Sequence, residues 1–141
     1  MTDISPRKAQ ILLVEDNPAD VYLLRRALNN AGAECDLTVL EDGAEALAFV
    51  RKQGAFTAAL VPDLIVLDLN LPKNGGLDVL QAMVGENSLT GVPVAILTSS
   101  SSPRERAAIA EFGVQRYIIK PPDLTEFMKI GVLLKELLDK S

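Results

Sequence analysis

Four short stretches of unbroken apolar residues constrain this chain more than anything else in it. They are Ile11-Leu12-Leu13-Val14, Leu64-Ile65-Val66-Leu67, Val94-Ala95-Ile96-Leu97 and Tyr117-Ile118-Ile119. Continuous apolarity over so few residues suits a parallel strand buried on both faces, whereas a half-solvated strand would alternate. A fifth stretch, Leu37-Thr38-Val39-Leu40, alternates only in part and reads as a weaker strand. Each stretch is followed by helical spacing with a start signal. Asn17-Pro18 offers a cap and a helix-first proline, and Val21, Leu24, Leu28 and Ala31 then share a face that Gly32 ends. Asp42 with Glu45 makes a capping box before Leu47 and Val50, so Asp42 is read as structural. Leu77, Leu80, Met83 and Val84 mark a third helix. Ser102-Pro103 with Glu105 opens a fourth, with Ala108, Ile109 and Phe112, and Gly113 stops it. Asp123 with Glu126 opens the last, with Phe127, Ile130, Leu134 and Leu138 in phase. Five βα units predict an α/β fold with a parallel sheet and helices on both faces. Five strands are too few for an eight-stranded barrel, which favours the open doubly wound sheet.

A chain of 141 residues, 48% apolar and 23% charged, fits one domain with a full core. Nineteen acidic against fourteen basic residues give a net charge of −5, so no nucleic-acid or anionic-membrane partner is expected. The chain has no histidine and one cysteine. Histidine bases, catalytic triads and His/Cys zinc sites are therefore excluded, as is an intrachain disulfide. Cys35 reads as a small packing residue. The first ten residues are polar and no apolar run approaches a membrane span, which with the lone cysteine leads to the expectation of a cytoplasmic protein.

Ligands of open α/β sheets sit outside the carboxyl ends of the strands, at the point where strand order reverses. The first strand here runs into Glu15-Asp16, the third into Asp68, the fourth into Thr98 and the fifth into Lys120. If the first and third strands are neighbours, three carboxylates share one crevice. One must then protonate or a cation must join them. A hard divalent ion such as Mg²⁺ is the natural companion of carboxylate oxygens. Lys120 adds a point charge suited to a phosphoryl oxygen, and Thr98 adds a hydroxyl. Acids, hydroxyl and lysine, each directly after its own strand, form a phosphoryl-handling set with a carboxylate as nucleophile.

With those residues in place, the chain resembles the receiver domain of two-component response regulators over about Gln10 to Leu138. The resemblance implies a flavodoxin-like (βα)5 sheet of order 2-1-3-4-5 in a receiver domain at 10–141, after an extension at 1–9. It implies Asp68 as phosphoacceptor, with Thr98 and Lys120-Pro121 matching the hydroxyl and the lysine–proline pair. Tyr117 matches the aromatic switch position, and a cis Lys120–Pro121 peptide is implied too. Metal ligation falls to Asp16, Asp68 and the Asn70 carbonyl, with Glu15 acting through water, and the cofactor implied is Mg²⁺. The segments Glu-Asp-Asn-Pro-Ala-Asp and Asp-Leu-Asn-Leu-Pro-Lys-Asn-Gly-Gly look like stand-alone regulators serving phytochrome-type sensor kinases. Gly75 stands where many relatives carry an acid, and Asn70 and Ser100 occupy positions that tune phosphoryl lifetime in the family.

The implied function is a switch rather than an enzyme acting on other substrates. A sensor histidine kinase supplies the phosphoryl group, and Asp68 receives it. The surface of helix 4, strand 5 and helix 5 then changes for a downstream protein target. With no output domain expected after Leu138, the signal leaves by protein contact. Met128, Val132, Leu133 and Leu137 lie off the buried stripe of the last helix. They point either to a wide core-facing stripe or to a homodimer through that surface. Two other classes compete. A haloacid-type phosphatase would place Asp-x-Asp after its first strand, and a flavin-binding flavodoxin would need a phosphate cradle where Glu15-Asp16-Asn17 repels phosphate.

Overall fold

In the computed structural model, which describes residues 8–71 and 75–140, the expected βα units all form. The elements are β1 (Ala9–Val14), α1 (Pro18–Asn30), β2 (Cys35–Leu40), α2 (Gly43–Val50), β3 (Leu64–Asp68), α3 (Gly76–Val84), β4 (Val94–Thr98), α4 (Pro103–Ala110), β5 (Arg116–Ile119) and α5 (Leu124–Asp139). The strands are all parallel, in the order β2-β1-β3-β4-β5. This is the flavodoxin-like sheet expected of a receiver. Residues 1–7 of the expected extension and Pro72-Lys73-Asn74 of the loop motif lie outside the described residues.

Alternate residues of each central strand feed two cores. Leu12, Val14, Ile65, Leu67 and Ile96 face α2, α3 and α4, where Phe49, Leu80, Met83 and Ile109 meet them. Ile11, Leu13, Leu64, Val66 and Leu97 face α1 and α5, against Leu24, Leu28, Phe127, Ile130 and Leu134. Unbroken apolar runs are what such double burial requires. β3 and β4 are buried throughout. β5 is different. It is an edge strand, and Ile119 stands 41% exposed although the run reads as a doubly buried strand.

The start signals act as read. Asn17 Oδ1 accepts the N–H groups of Ala19 and Asp20, Asp42 that of Glu45, Ser102 that of Glu105, and Asp123 that of Glu126. Gly75 gives α3 no side-chain cap. In α3 the buried face differs from the expected one. Val79, Leu80 and Met83 are buried, while Leu77 and Val84 are exposed. Leu77 and Val84 are seven residues apart and so share one face, which here turns to solvent.

The apolar stripe of α5 is wide. Leu137 is buried and Met128 and Leu133 are half-buried, which leaves only Val132 exposed of the four residues in question. The packing reason is α1. Gly131 sits against the Ala27 carbonyl, so the two helix backbones approach where any Cβ would collide. The Met128 sulfur accepts from Asn30 Nδ2 at 3.6 Å, on the same side. Leu124 is four residues from Met128 and seven from Gly131 and so shares the face that packs on α1. Val132 is four residues from both Met128 and Glu136, which pairs with Arg116 of β5 at 3.9 Å, and lies between the α1 and β5 sides.

Candidate phosphoryl-transfer site

The register of the sheet brings the acids together. Val14 lies beside Leu67, so Glu15 and Asp68 follow at the same level on adjacent strands. The chain leaves β1 with the Glu15 N–H bonded to Leu40 O at 2.9 Å, which holds Glu15 in line with the sheet. Glu15 and Asp68 are buried, 1% and 2% exposed, and Asp16 is exposed at the rim. Oxygens of Glu15, Asp16 and Asp68 all lie within 4.8 Å of one another. A cluster of carboxylate oxygens, with no nitrogen or sulfur donor, fits a hard divalent cation.

Lys120 enters from the other side. β5 pairs with β4 up to Thr98–Ile119, and the Lys120 N–H bonds Thr98 O at 2.7 Å, which launches the side chain over the strand ends. Its Nζ lies 2.7 Å from Glu15, 3.0 Å from Asp68 and 2.8 Å from Asp20. The Lys120–Pro121 peptide is trans, contrary to the cis bond that the resemblance implies. The lysine reaches all three carboxylates from the trans geometry.

Asp20 is the surprise. It occupies the first turn of α1, inside the quoted motif, and reads as an ordinary acid near a helix N-terminus. Asp20 follows Asp16 by four residues, and the helix start aims it back at the crevice. Four carboxylates against one ammonium leave the site short of positive charge. Burial, and then the hydrogen-bonded Asp68, push the Glu15 carboxyl up to about 8, and Lys120 only partly offsets them. The three carboxylates in turn hold the Lys120 ammonium above its ordinary range despite its burial.

The remaining predicted residues sit around this centre. The Asn70 N–H donates to Asp68 Oδ1 at 2.8 Å and its side-chain amide to Ser99 Oγ at 3.1 Å, so the loop folds over the acid. Gly76 permits that fold, since a Cβ there would stand 2.5 Å from Leu69 Cα. Thr98 is fully buried, and its hydroxyl donates to Glu105 Oε1 at 3.1 Å while accepting the Ser100 N–H at 3.0 Å. Tyr117 is half-buried and donates to the same Glu105 oxygen at 2.7 Å. Glu105, read from sequence only as a capping partner, thus joins the two residues expected to switch.

Comparison with known proteins agrees with this geometry. The sequence model of the family described as "Response regulator receiver domain" matches residues 11–130. Response regulator Rcp1 of Synechocystis sp. is 37% identical over 130 residues, spanning 92% of this chain and 88% of Rcp1. A crystal structure of the phosphorylated cyanobacterial phytochrome response regulator RcpA superposes with a TM-score of 0.89 at 34% identity, over 96% of this chain and 97% of RcpA. The Mn²⁺-bound form of response regulator Rcp1 superposes with a TM-score of 0.84 at 35% identity, over 91% and 92% of the two chains.

Proposed function

The chain belongs to the response regulator receiver domain family, and from that premise we propose that it is a stand-alone, Mg²⁺-dependent phosphorylatable switch with Asp68 as its phosphoacceptor. In this reading residues 10–141 form the receiver, after an extension at 1–9. The observation that carries the proposal is the setting of Asp68: a buried carboxylate at the end of β3, 3.0 Å from the Lys120 ammonium and beside the oxygens of Glu15 and Asp16.

A carboxylate oxygen of Asp68 attacks the phosphorus of a partner's phosphohistidine. The new P–O bond forms as the P–N bond breaks, and the imidazole nitrogen keeps the electron pair. Lys120 neutralises charge gathering on the transferring oxygens. Asp16 and Asp68, with the Asn70 carbonyl, would hold Mg²⁺ directly and Glu15 through water. Such an ion supplies charge neutralisation at the phosphoryl oxygens. Two features support a divalent ion: the carboxylate donor set and the Mn²⁺-bound form of the similar Rcp1. Dephosphorylation is a separate step at the same residues: water attacks the phosphorus, the P–O bond to Asp68 breaks with its electron pair left on the carboxylate, and inorganic phosphate leaves with the protons of the water. The protein thus catalyses only its own phosphorylation and dephosphorylation.

After transfer, Thr98 donates to a phosphoryl oxygen and Tyr117 changes its contacts, which alters the α4–β5–α5 surface for a downstream protein. A second copy of this chain is one such partner, with Ile119 as an exposed apolar residue of β5. The likeness to RcpA supports a phytochrome-type sensor kinase as the donor. We place the protein in the cytoplasm on the same reading, with Cys35 at home in a reducing compartment. No described helix is long and apolar enough to cross a membrane.

Acetyl phosphate with Mg²⁺ tests the proposal. A receiver stops at one phosphoryl group per chain. Sustained turnover of phosphate esters would instead mark a phosphatase.

A further inference from the structure

The Thr98 hydroxyl has one proton, and in this structure it is given to Glu105. A phosphoryl group on Asp68 offers only acceptor oxygens and carries close to two negative charges at neutral pH, so Thr98 can reach it only as a donor. The hydroxyl cannot serve both acceptors. Its lone-pair side is already engaged by the Ser100 N–H, which fixes the orientation of Oγ1 in the resting state.

Glu105 is held in turn by what it receives. A single oxygen, Oε1, accepts from Thr98 at 3.1 Å and from Tyr117 at 2.7 Å. Its own N–H is capped by Ser102, and the Arg106 guanidinium lies 5.3 Å from the centre of the Tyr117 ring. A half-buried carboxylate needs its donors, and losing one makes the site less favourable for the charge. Each donor therefore keeps the carboxylate in place for the other.

We propose that Glu105 is a latch. This positioning residue competes with the phosphorylated Asp68 for the Thr98 proton, and it releases Tyr117 when it loses that competition. The proposal rests on the reading of Asp68 as phosphoacceptor. Departure of Thr98 toward the phosphoryl group removes one of two donors from Oε1. The carboxylate then leaves for solvent from the first turn of α4, and the Tyr117 phenol loses its partner. The device explains how a buried hydroxyl on β4 is sensed by a ring on β5 with no contact between them being required.

The chain has two tyrosines and no tryptophan, so a Tyr22→Phe parent reports on Tyr117 alone. Tyr22 is exposed and takes no part in the site. In that parent, Glu105→Ala is expected to accelerate phosphorylation by acetyl phosphate about three- to tenfold, the range expected for the net contribution of one typical hydrogen bond. Its unphosphorylated Tyr117 emission should already match that of the phosphorylated parent. Glu105→Gln keeps an acceptor oxygen without the charge and should fall between the two. Should the alanine variant fail to fold, the glutamine variant carries the test through the phenol titration. Burial, and then the Glu105 hydrogen bond and charge, push Tyr117 up to about 12, so this variant should ionise at lower pH. Unchanged rate, emission and titration in variants that still take up phosphate would overturn the latch. A parent that takes up no phosphate overturns the functional reading itself, and the latch with it.

Discussion

The Lys120 ammonium stands 2.8 Å from the Asp20 carboxylate, a contact between residues a hundred positions apart. It adds a fourth acid to a crevice where three already crowd one cation. Asp20 lies outside the cluster whose oxygens converge within 4.8 Å, so it acts on the site through charge and through its hold on Lys120. Asp20→Asn is expected to weaken Mg²⁺ binding by a few-fold, the size of a solvent-screened charge effect. Phosphorylation should persist. A metal titration followed by acetyl phosphate labelling checks both halves.

The two acids after β1 should differ. Glu15 is buried and engaged by Lys120 at 2.7 Å, whereas Asp16 is exposed and open to a cation. Asp16→Asn should lower Mg²⁺ affinity about tenfold or more, equivalent to roughly 1.4 kcal/mol. Glu15→Gln should lower it less. Equal effects in a calorimetric titration would contradict direct ligation by Asp16.

The pH dependence follows from Glu15. Its carboxyl is pushed up from 4.5 to about 8, chiefly by burial. The folded protein thus holds this proton more tightly than the unfolded chain does. The stabilisation is fully present below the unfolded value, and it is lost as pH rises from about 4.5 through about 8. A bound cation favours the ionised form and releases the proton. Mg²⁺ should therefore raise the melting temperature more at pH 8 than at pH 6, and calorimetry in buffers of different ionisation enthalpy should detect proton release.

Gly131 tests the packing that supports β1 and the acids after it. A methyl group there meets the Ala27 carbonyl, which is backbone and cannot step aside. Gly131→Ala should cost on the order of 1–3 kcal/mol, an overpacking penalty outweighing the helix propensity gained. Chemical denaturation measures it.

Much of this was legible in the sequence because parallel strands buried on both faces leave unbroken apolar runs, and because each run ends on a residue of distinctive chemistry. Glu15, Asp16, Asp68, Thr98 and Lys120 could be placed by counting to the end of a run. Asp20 and Glu105 could not. Both sit in first turns of helices, where an acid has a sufficient local explanation, and only the tertiary path of α1 and α4 shows where the carboxylates reach. The exposed Ile119 was hidden for a related reason. Apolarity along β5 does not announce that the strand is an edge.

Asp68 is the centre of the account, and intact-mass spectrometry of the chain after treatment with acetyl phosphate and Mg²⁺ tests it most directly. One phosphoryl group per chain, labile to hydroxylamine, is expected, and none on Asp68→Asn, with the variant folded by circular dichroism. Undiminished labelling of folded Asp68→Asn would contradict it.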